Sequence, residues 1–245
     1  MKNVLIVGYG EIGKSMYNVI KDSGKYNLFK KDTEELEIKE KIDIMHVCVP
    51  YFDNFADMVV DYITKYNPEL IIINSTLRPK TTQKIYERTN ALIVHSPVRG
   101  KHPNLEGGIL KFVKFIGPTT EEAGKLAKDH FESMGVKAEI LDSPIDTELG
   151  KLFSTTYYAI NIAFHQEMDR ICDLFGADFK NAVTRFNETC TMDIEHKVPR
   201  PIMFPGIIGG HCLISNIDIL KQDVDSGFLD SILESNEMTK KRKEK

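Results

Sequence analysis

Residues Asn3 to Val7 form a short apolar run that meets Gly8-Tyr9-Gly10-Glu11-Ile12-Gly13 without a linker. Ile12, Met16, Val19 and Ile20 then recur at helical spacing. Strand, G-x-G-x-x-G, helix is an order that few folds accommodate. The first glycine makes a tight turn, the second lets a pyrophosphate approach the backbone, and the third lets helix and strand pack closely. A phosphate bound there lies at the positive end of the helix dipole. The stretch therefore predicts a dinucleotide-binding crossover, with Gly8, Tyr9, Gly10, Glu11, Ile12 and Gly13 as cofactor-binding residues.

A second strand is expected at Tyr26 to Lys31. Asp32 follows it, 19 residues after Gly13, where a carboxylate accepts the ribose hydroxyls of the adenosine half. A solvated turn residue is the other reading of Asp32. Lys30 and Lys31 stand beside it, so a 2′-phosphate stays open and NAD is only favoured over NADP. Further strand-like runs follow at Ile42 to Val49, Leu70 to Asn74, Leu92 to His95, Phe112 to Ile116 and Val136 to Leu141. Helical periodicity appears at Phe55 to Tyr66 and at Thr120 to Met134, where Thr120 precedes Glu121 and Glu122 as a candidate cap. This alternation predicts an α/β chain with a Rossmann-type, doubly wound and largely parallel sheet. Ligands on such sheets bind beyond the carboxyl ends of the strands. Val49 and Pro50, with Ser75 and Thr76, then join the glycine turn around one crevice, and Cys48 reads as core.

From Asp146 to Phe175 the chain has no proline and one glycine, with apolar residues at helical spacing and Gly176 as a stop. Such a helix is long for a globular domain and predicts a bridge between modules or a face for a second subunit. Glu148, Lys151 and Thr155 share one of its faces, which by itself fits a solvated charged surface equally well. Further helices are expected at Phe179 to Phe186, Asn216 to Gln222 and Phe228 to Met238. The expected organisation is a dinucleotide-binding domain at 1–145, the long helix and a small, mainly helical domain at 146–238, and a frayed basic tail at 239–245.

Pro205 to Asn216 reads PGIIGGHCLISN, which carries Cys212 on a glycine-rich turn. A buried, inert thiol is the plain alternative. The four cysteines show neither a C-x-x-C pair nor zinc-like spacing, so no metal site is expected. A net charge of −4 gives no electrostatic reason to expect nucleic acid or an anionic membrane as partner. No apolar run approaches the roughly 20 residues of a membrane span, and MKNVLIVGYG reads as a strand instead of a signal peptide. Reduced thiols in the cytoplasm are the expectation.

Taken together, VGYGEIG, CVP (Cys48 to Pro50), NSTLRPKTT (Asn74 to Thr82), SPVR (Ser96 to Arg99), TELGKL (Thr147 to Leu152), NIAFHQEM (Asn161 to Met168) and PGIIGGHC (Pro205 to Cys212) resemble the UDP-glucose/GDP-mannose (nucleotide-sugar) dehydrogenase family, in that family's order. The resemblance implies a four-electron oxidation of a sugar alcohol to a carboxylate with two NAD molecules. Cys212 would be the thiol that forms a thiohemiacetal and then a thioester, and Lys151 the fixed cation beside the oxyanion. It also implies a homodimer formed through the long helix. Thr155 stands where family members commonly have Asn, Asn216 where they have Asp, and Val98 where many have Glu. The family's third, C-terminal domain is expected to be missing, with a smaller substrate or a separate partner chain making up for it. Two other readings stay open: a two-electron alcohol oxidation, and a dinucleotide-binding sensor or structural subunit without turnover.

Overall fold

The structure, a computed structural model, describes residues 1–33, 38–100, 104–191, 199–210 and 212–243. The chain divides into two units, Met1–Lys151 and Leu152–Lys245, so the division falls inside the long helix.

In the first unit seven strands form one sheet in the order β2-β1-β3-β4-β5-β6-β7. They are β1 (Lys2–Val7), β2 (Tyr26–Lys31), β3 (Ile44–Val47), β4 (Leu70–Ile73), β5 (Ile93–His95), β6 (Lys114–Pro118) and β7 (Ala138–Ile140). The accompanying helices are α1 (Glu11–Asp22), α2 (Phe55–Tyr66), α3 (Thr81–Thr89), α4 (Leu105–Lys111) and α5 (Glu121–Ser133). Side chains alternate across a strand, and β1 shows the result. Val4 and Ile6 pack with Met16, Ile20 and Phe131 on one face. Leu5 and Val7 pack with Phe55, Val59 and Ile85 on the other. Burial on both faces explains why the strands read as continuous apolar runs. Strand order reverses at β1, with β2 on one side and β3 on the other, and this makes the switch point of the sheet.

Pairing from β2 through β5 is parallel, but β6 runs antiparallel to β5, and β7 is parallel to β6. A parallel return needs a helix that crosses the sheet. The only described helix between β5 and β6 is α4, seven residues long, and Asn18 on α1 donates to Glu106 on α4 at 2.6 Å. That short helix is held against α1, and the chain turns back. Thr120 does cap α5, its side chain accepting from Ala123 N at 3.2 Å.

α6 (Pro144–Phe175) starts on a proline, which is compatible with a first helical turn, and stops at Gly176 with φ +67°. The second unit continues with a π-helical turn at Lys180–Thr184, α7 (Arg185–Thr191), α8 (Leu213–Lys221) and α9 (Gly227–Lys243). Two expectations are corrected here. α8 begins at Leu213, directly after Cys212, instead of at Asn216. The basic run from Lys240 continues α9 as far as Lys243 instead of fraying, because Arg242 pairs with Asp169 at 2.9 Å and with Asp173, and Lys243 lies over the ring of Phe204. Glu244 and Lys245 lie outside the described residues. Among the described residues no helix is long and apolar enough to cross a membrane.

Candidate active site

The glycine turn shows three different demands. Gly8 has φ +86°, and a Cβ on it would lie 2.6 Å from Val49 Cγ1. A Cβ on Gly13 would lie 1.9 Å from Gly8 O, so α1 packs on the turn only with glycine there. A Cβ on Gly10 would meet nothing within 4 Å, which leaves open space over the first turn of α1. Glu11 is exposed at that turn, while the Ile12 side chain packs into the core and offers the crevice only its backbone. Asp32, exposed at the end of β2, accepts from Tyr9 N at 3.4 Å. The Tyr9 ring lies under Lys30 Nζ at 4.4 Å. The helix start at Glu11, open space at Gly10 and a carboxylate at Asp32 fit the pyrophosphate and ribose of a dinucleotide.

Along the strand ends, Val49 and Thr76 are half-buried and Pro50 is exposed. Ser75 is buried and donates its hydroxyl to Val49 O at 2.5 Å, joining the loops after β3 and β4. His95, at the end of β5, lies with Nε2 2.9 Å from Ser75 O and Nδ1 2.8 Å from Thr147 Oγ1. Lys151 is half-buried and donates to Val98 O at 2.9 Å. Glu148 shares the expected helical face with Lys151 but is spent elsewhere. It is fully buried and accepts from Lys80 N at 2.6 Å, Thr82 N at 2.9 Å and Thr82 Oγ1 at 2.7 Å, at the start of α3. Burial raises its pKa, and the three donors oppose that rise.

In the second unit Cys212 is exposed and forms the N-cap of α8, after Gly210 with φ +82°. His211 lies outside the described residues. The loop ahead of the thiol is pinned by two buried amides that give no signal in the sequence pattern. Gln166 donates to Gly206 O at 2.6 Å, and Asn236 Oδ1 accepts from Ile208 N at 2.7 Å. Asn216 lies one turn beyond Cys212, its amide N–H reaching Cys212 O at 3.1 Å. Asn216 is buried, and its Nδ2 donates to Thr155 Oγ1 at 3.0 Å, so two of the three positions that depart from the family pattern meet each other.

Sequence reasoning also missed a polar chain inside the first unit. Lys114 Nζ donates to Ser96 O at 2.6 Å and to Asn74 Oδ1 at 3.3 Å. Asn74 Nδ2 lies 3.0 Å from His46 Nδ1, and His46 Nε2 lies 2.9 Å from His130 Nε2. Only Oδ1 can accept from the lysine, so Nδ2 donates to His46, and His46 donates to His130. Among the described residues no cluster of His, Cys, Asp or Glu has the makings of a metal site.

Comparison with known proteins bears on both units. Residues 146–238 match the family model for the central domain of the UDP-glucose/GDP-mannose dehydrogenase family. The chain is 31% identical over 251 residues to a UDP-N-acetyl-D-mannosamine dehydrogenase of Methanococcus vannielii, covering 89% of this chain and 55% of that protein. It is 34% identical over 172 residues to the Methanococcus maripaludis protein of the same name, covering 66% of this chain and 36% of that one. This chain thus spans about half the length, or less, of these curated relatives. Among solved structures, a UDP-D-ManNAc dehydrogenase from Pyrococcus horikoshii superposes with a TM-score of 0.83 at 20% identity, over 97% of this chain and 68% of that one. A Mycobacterium tuberculosis 3-hydroxyisobutyrate dehydrogenase superposes with a TM-score of 0.68 at 13% identity, over 99% and 94%, which is a likeness of fold alone. The helical-domain match over residues 146–238 is to the UDP-glucose/GDP-mannose dehydrogenase family, and the curated relatives and the shared architecture agree with it.

Proposed function

We propose that the protein is an NAD-dependent oxidoreductase acting on the primary alcohol of a nucleotide sugar, with UDP-N-acetyl-D-mannosamine as the first substrate to test because its curated relatives carry that name. The observation that carries the reading is a dinucleotide-shaped glycine turn on a chain that also exposes Cys212 at the head of α8. In this reading residues 1–145 hold the cofactor through Gly8 to Gly13 and Asp32, with Val49, Pro50, Ser75 and Thr76 lining the crevice. Residues 146–238 supply the thiol. NAD supplies the hydride acceptor when bound.

The ammonium of Lys151, fixed on Val98 O, stabilises negative charge on the substrate oxygen as the alcohol is oxidised to an aldehyde. The Cys212 thiolate adds to the aldehyde carbon, the carbonyl π pair moves to oxygen, and a thiohemiacetal forms. Its oxidation at the expense of a second NAD leaves a thioester. Water cleaves the thioester to the carboxylate and returns the thiol. Neither Asn216 nor Thr155 offers a basic atom at neutral pH, and their mutual hydrogen bond engages both. This favours, as a second reading, a two-electron oxidation that stops at the aldehyde. A binding protein without turnover is the third outcome.

NADH yield per sugar separates these readings, measured with UDP-N-acetyl-D-mannosamine, UDP-glucose and GDP-mannose. Two NADH per sugar, lost in Cys212→Ala with NAD binding intact, supports the thioester route. One NADH per sugar, unchanged in Cys212→Ala, supports the aldehyde route. NAD binding without NADH formation on any of the three refutes the enzymatic reading for this chain alone, and adding a chain that carries a nucleotide-sugar-binding domain then tests whether a partner completes the site. Free thiols at Cys48, Cys172, Cys190 and Cys212 fit a cytoplasmic setting for this chemistry.

A further inference from the structure

Two hydrogen bonds tie the start of α6 to the end of β5 and the loop after it, and they lie one helical turn apart. Thr147 pairs with His95, and Lys151 pairs with Val98 O. His95 Nε2 faces the carbonyl of Ser75, and a carbonyl only accepts, so Nε2 carries the ring proton. Nδ1 therefore accepts from the Thr147 hydroxyl. Burial pushes the imidazole pKa down to about 3, which keeps the ring neutral and this tautomer in place. Ser75 in turn holds Val49 O through its hydroxyl. One buried path thus runs from Val49 and Ser75, on the wall of the cofactor crevice, through His95 to the turn of α6 that carries Lys151.

The neighbouring sheet is cut to fit this path. A Cβ on Gly117 of β6 would lie 2.4 Å from Thr147 Oγ1, so glycine there makes room for the hydroxyl. His95 is 0% exposed and Thr147 3%, yet His95 bonds through both ring nitrogens and the one proton of Thr147 goes to Nδ1 although Pro144 O also lies within its reach, at 2.9 Å, which simple space-filling does not require. Lysine brings a point charge on a flexible stem. An amine that must meet a developing charge has to be held, since a misplacement of about 1 Å costs on the order of 100-fold in rate.

We infer that His95 and Thr147 are positioning residues that hold the Lys151 amine in register with the Val49–Ser75 wall of the crevice. The inference rests on the proposed role of Lys151. Thr147→Val removes the hydroxyl at nearly constant shape, Thr147→Ser retains it, and Thr147→Ala serves if valine does not fit beside Gly117.

Acylation of each lysine by an amine-selective reagent, followed by peptide mass spectrometry on the full chain, gives a readout that needs no turnover. The expected result is a rise of about fivefold or more in the labelling rate of Lys151 in Thr147→Val, with Thr147→Ser near wild type. Lys114, 3% exposed, stays protected in every variant as the internal measure of folding. Where turnover is present, Thr147→Val lowers kcat by roughly 10- to 100-fold with KM for NAD within about twofold, and serine restores it. Unchanged Lys151 labelling in Thr147→Val or Thr147→Ala, with Lys114 still protected, overturns the inference. A Lys151→Met enzyme with full turnover instead removes the proposed role of the lysine, and the labelling rates still decide whether the Thr147 link to His95 holds it.

Discussion

Gly10 and Gly13 stand three residues apart in one turn and are tied to glycine by opposite constraints. A methyl on Gly13 strikes a backbone oxygen that has nowhere to go, so Gly13→Ala is expected to cost about 1–3 kcal/mol of stability, read as a lowered melting temperature. A methyl on Gly10 meets open space, and its φ of −72° suits alanine, so Gly10→Ala should melt like wild type. It should nevertheless bind NAD about tenfold or more weakly by calorimetry, because the methyl takes the space the pyrophosphate needs. Undiminished affinity in Gly10→Ala would remove the crevice assignment. Lys114 leads to a pH dependence. Its contacts are neutral, and burial pulls its pKa down to about 7 from an ordinary value of 10.5. The thiol of Cys48, pushed up to about 12 by its own burial, stays protonated and offers no balancing charge. The other groups that bear on this interior are His46 and His130, which burial keeps neutral, and Lys151, a second cation. Between about pH 7 and 10 the unfolded chain holds a proton at Lys114 that the folded chain has released, so stability rises with pH there, by up to about 1.4 kcal/mol per pH unit. Below about pH 6.5 the unfolded histidines take up protons that buried His46, His95 and His130 refuse, so stability falls further as acid is added. Calorimetric melting across this range should show both limbs, and Lys114→Met should flatten the alkaline one.

At the scale of elements, α3 begins on backbone donors that a carboxylate from α6 satisfies. Glu148→Gln leaves one acceptor oxygen where two served and turns an amide N–H toward other donors, so a loss of about 3 kcal/mol is expected as a lower urea midpoint. The sequence made Glu148 a neighbour of Lys151 on one helical face, and that is correct as geometry. Its burial was not legible, because the partner is a helix start nearly seventy residues upstream in the chain. The same reason separates other successes from misses. The glycine turn, β1 and α1 were readable since their stereochemistry is local. The antiparallel β6 was not, because it depends on α4 being held against α1 by Asn18 and Glu106. The extra turn of α8 escaped notice because no side chain caps it. Gln166 and Asn236, which pin the cysteine loop, were hidden among helical residues whose period says only which side is apolar. His95 was read as the end of a strand, and a polar residue in a buried strand gives no periodic signal of what it bonds to.

For the molecule as a whole, the second unit exposes several large apolar side chains, the kind of surface that marks an interaction site where it is contiguous. Phe164 is 61% exposed and Phe228 67%, with Leu174 and Phe175 at 78% and 79% farther along α6. We propose that a second copy covers this surface. Light scattering at micromolar concentration should give the mass of a dimer, and Phe164→Glu with Phe228→Glu should halve it without lowering the helical signal in circular dichroism. A monomeric wild type would dismiss the dimer. One further consequence belongs to Glu148. Helix starts compete for anions, and by giving α3 a carboxylate from its own chain the first unit withdraws that start from the contest. On the proposed reading, a dinucleotide across the switch point then places its phosphates at a helix start other than that of α3, with acidic Asp32 on the β2 side and neutral Ser75 and Thr76 on the β4 side. On that reading, one buried side chain narrows the heading that the proposed ligand can take.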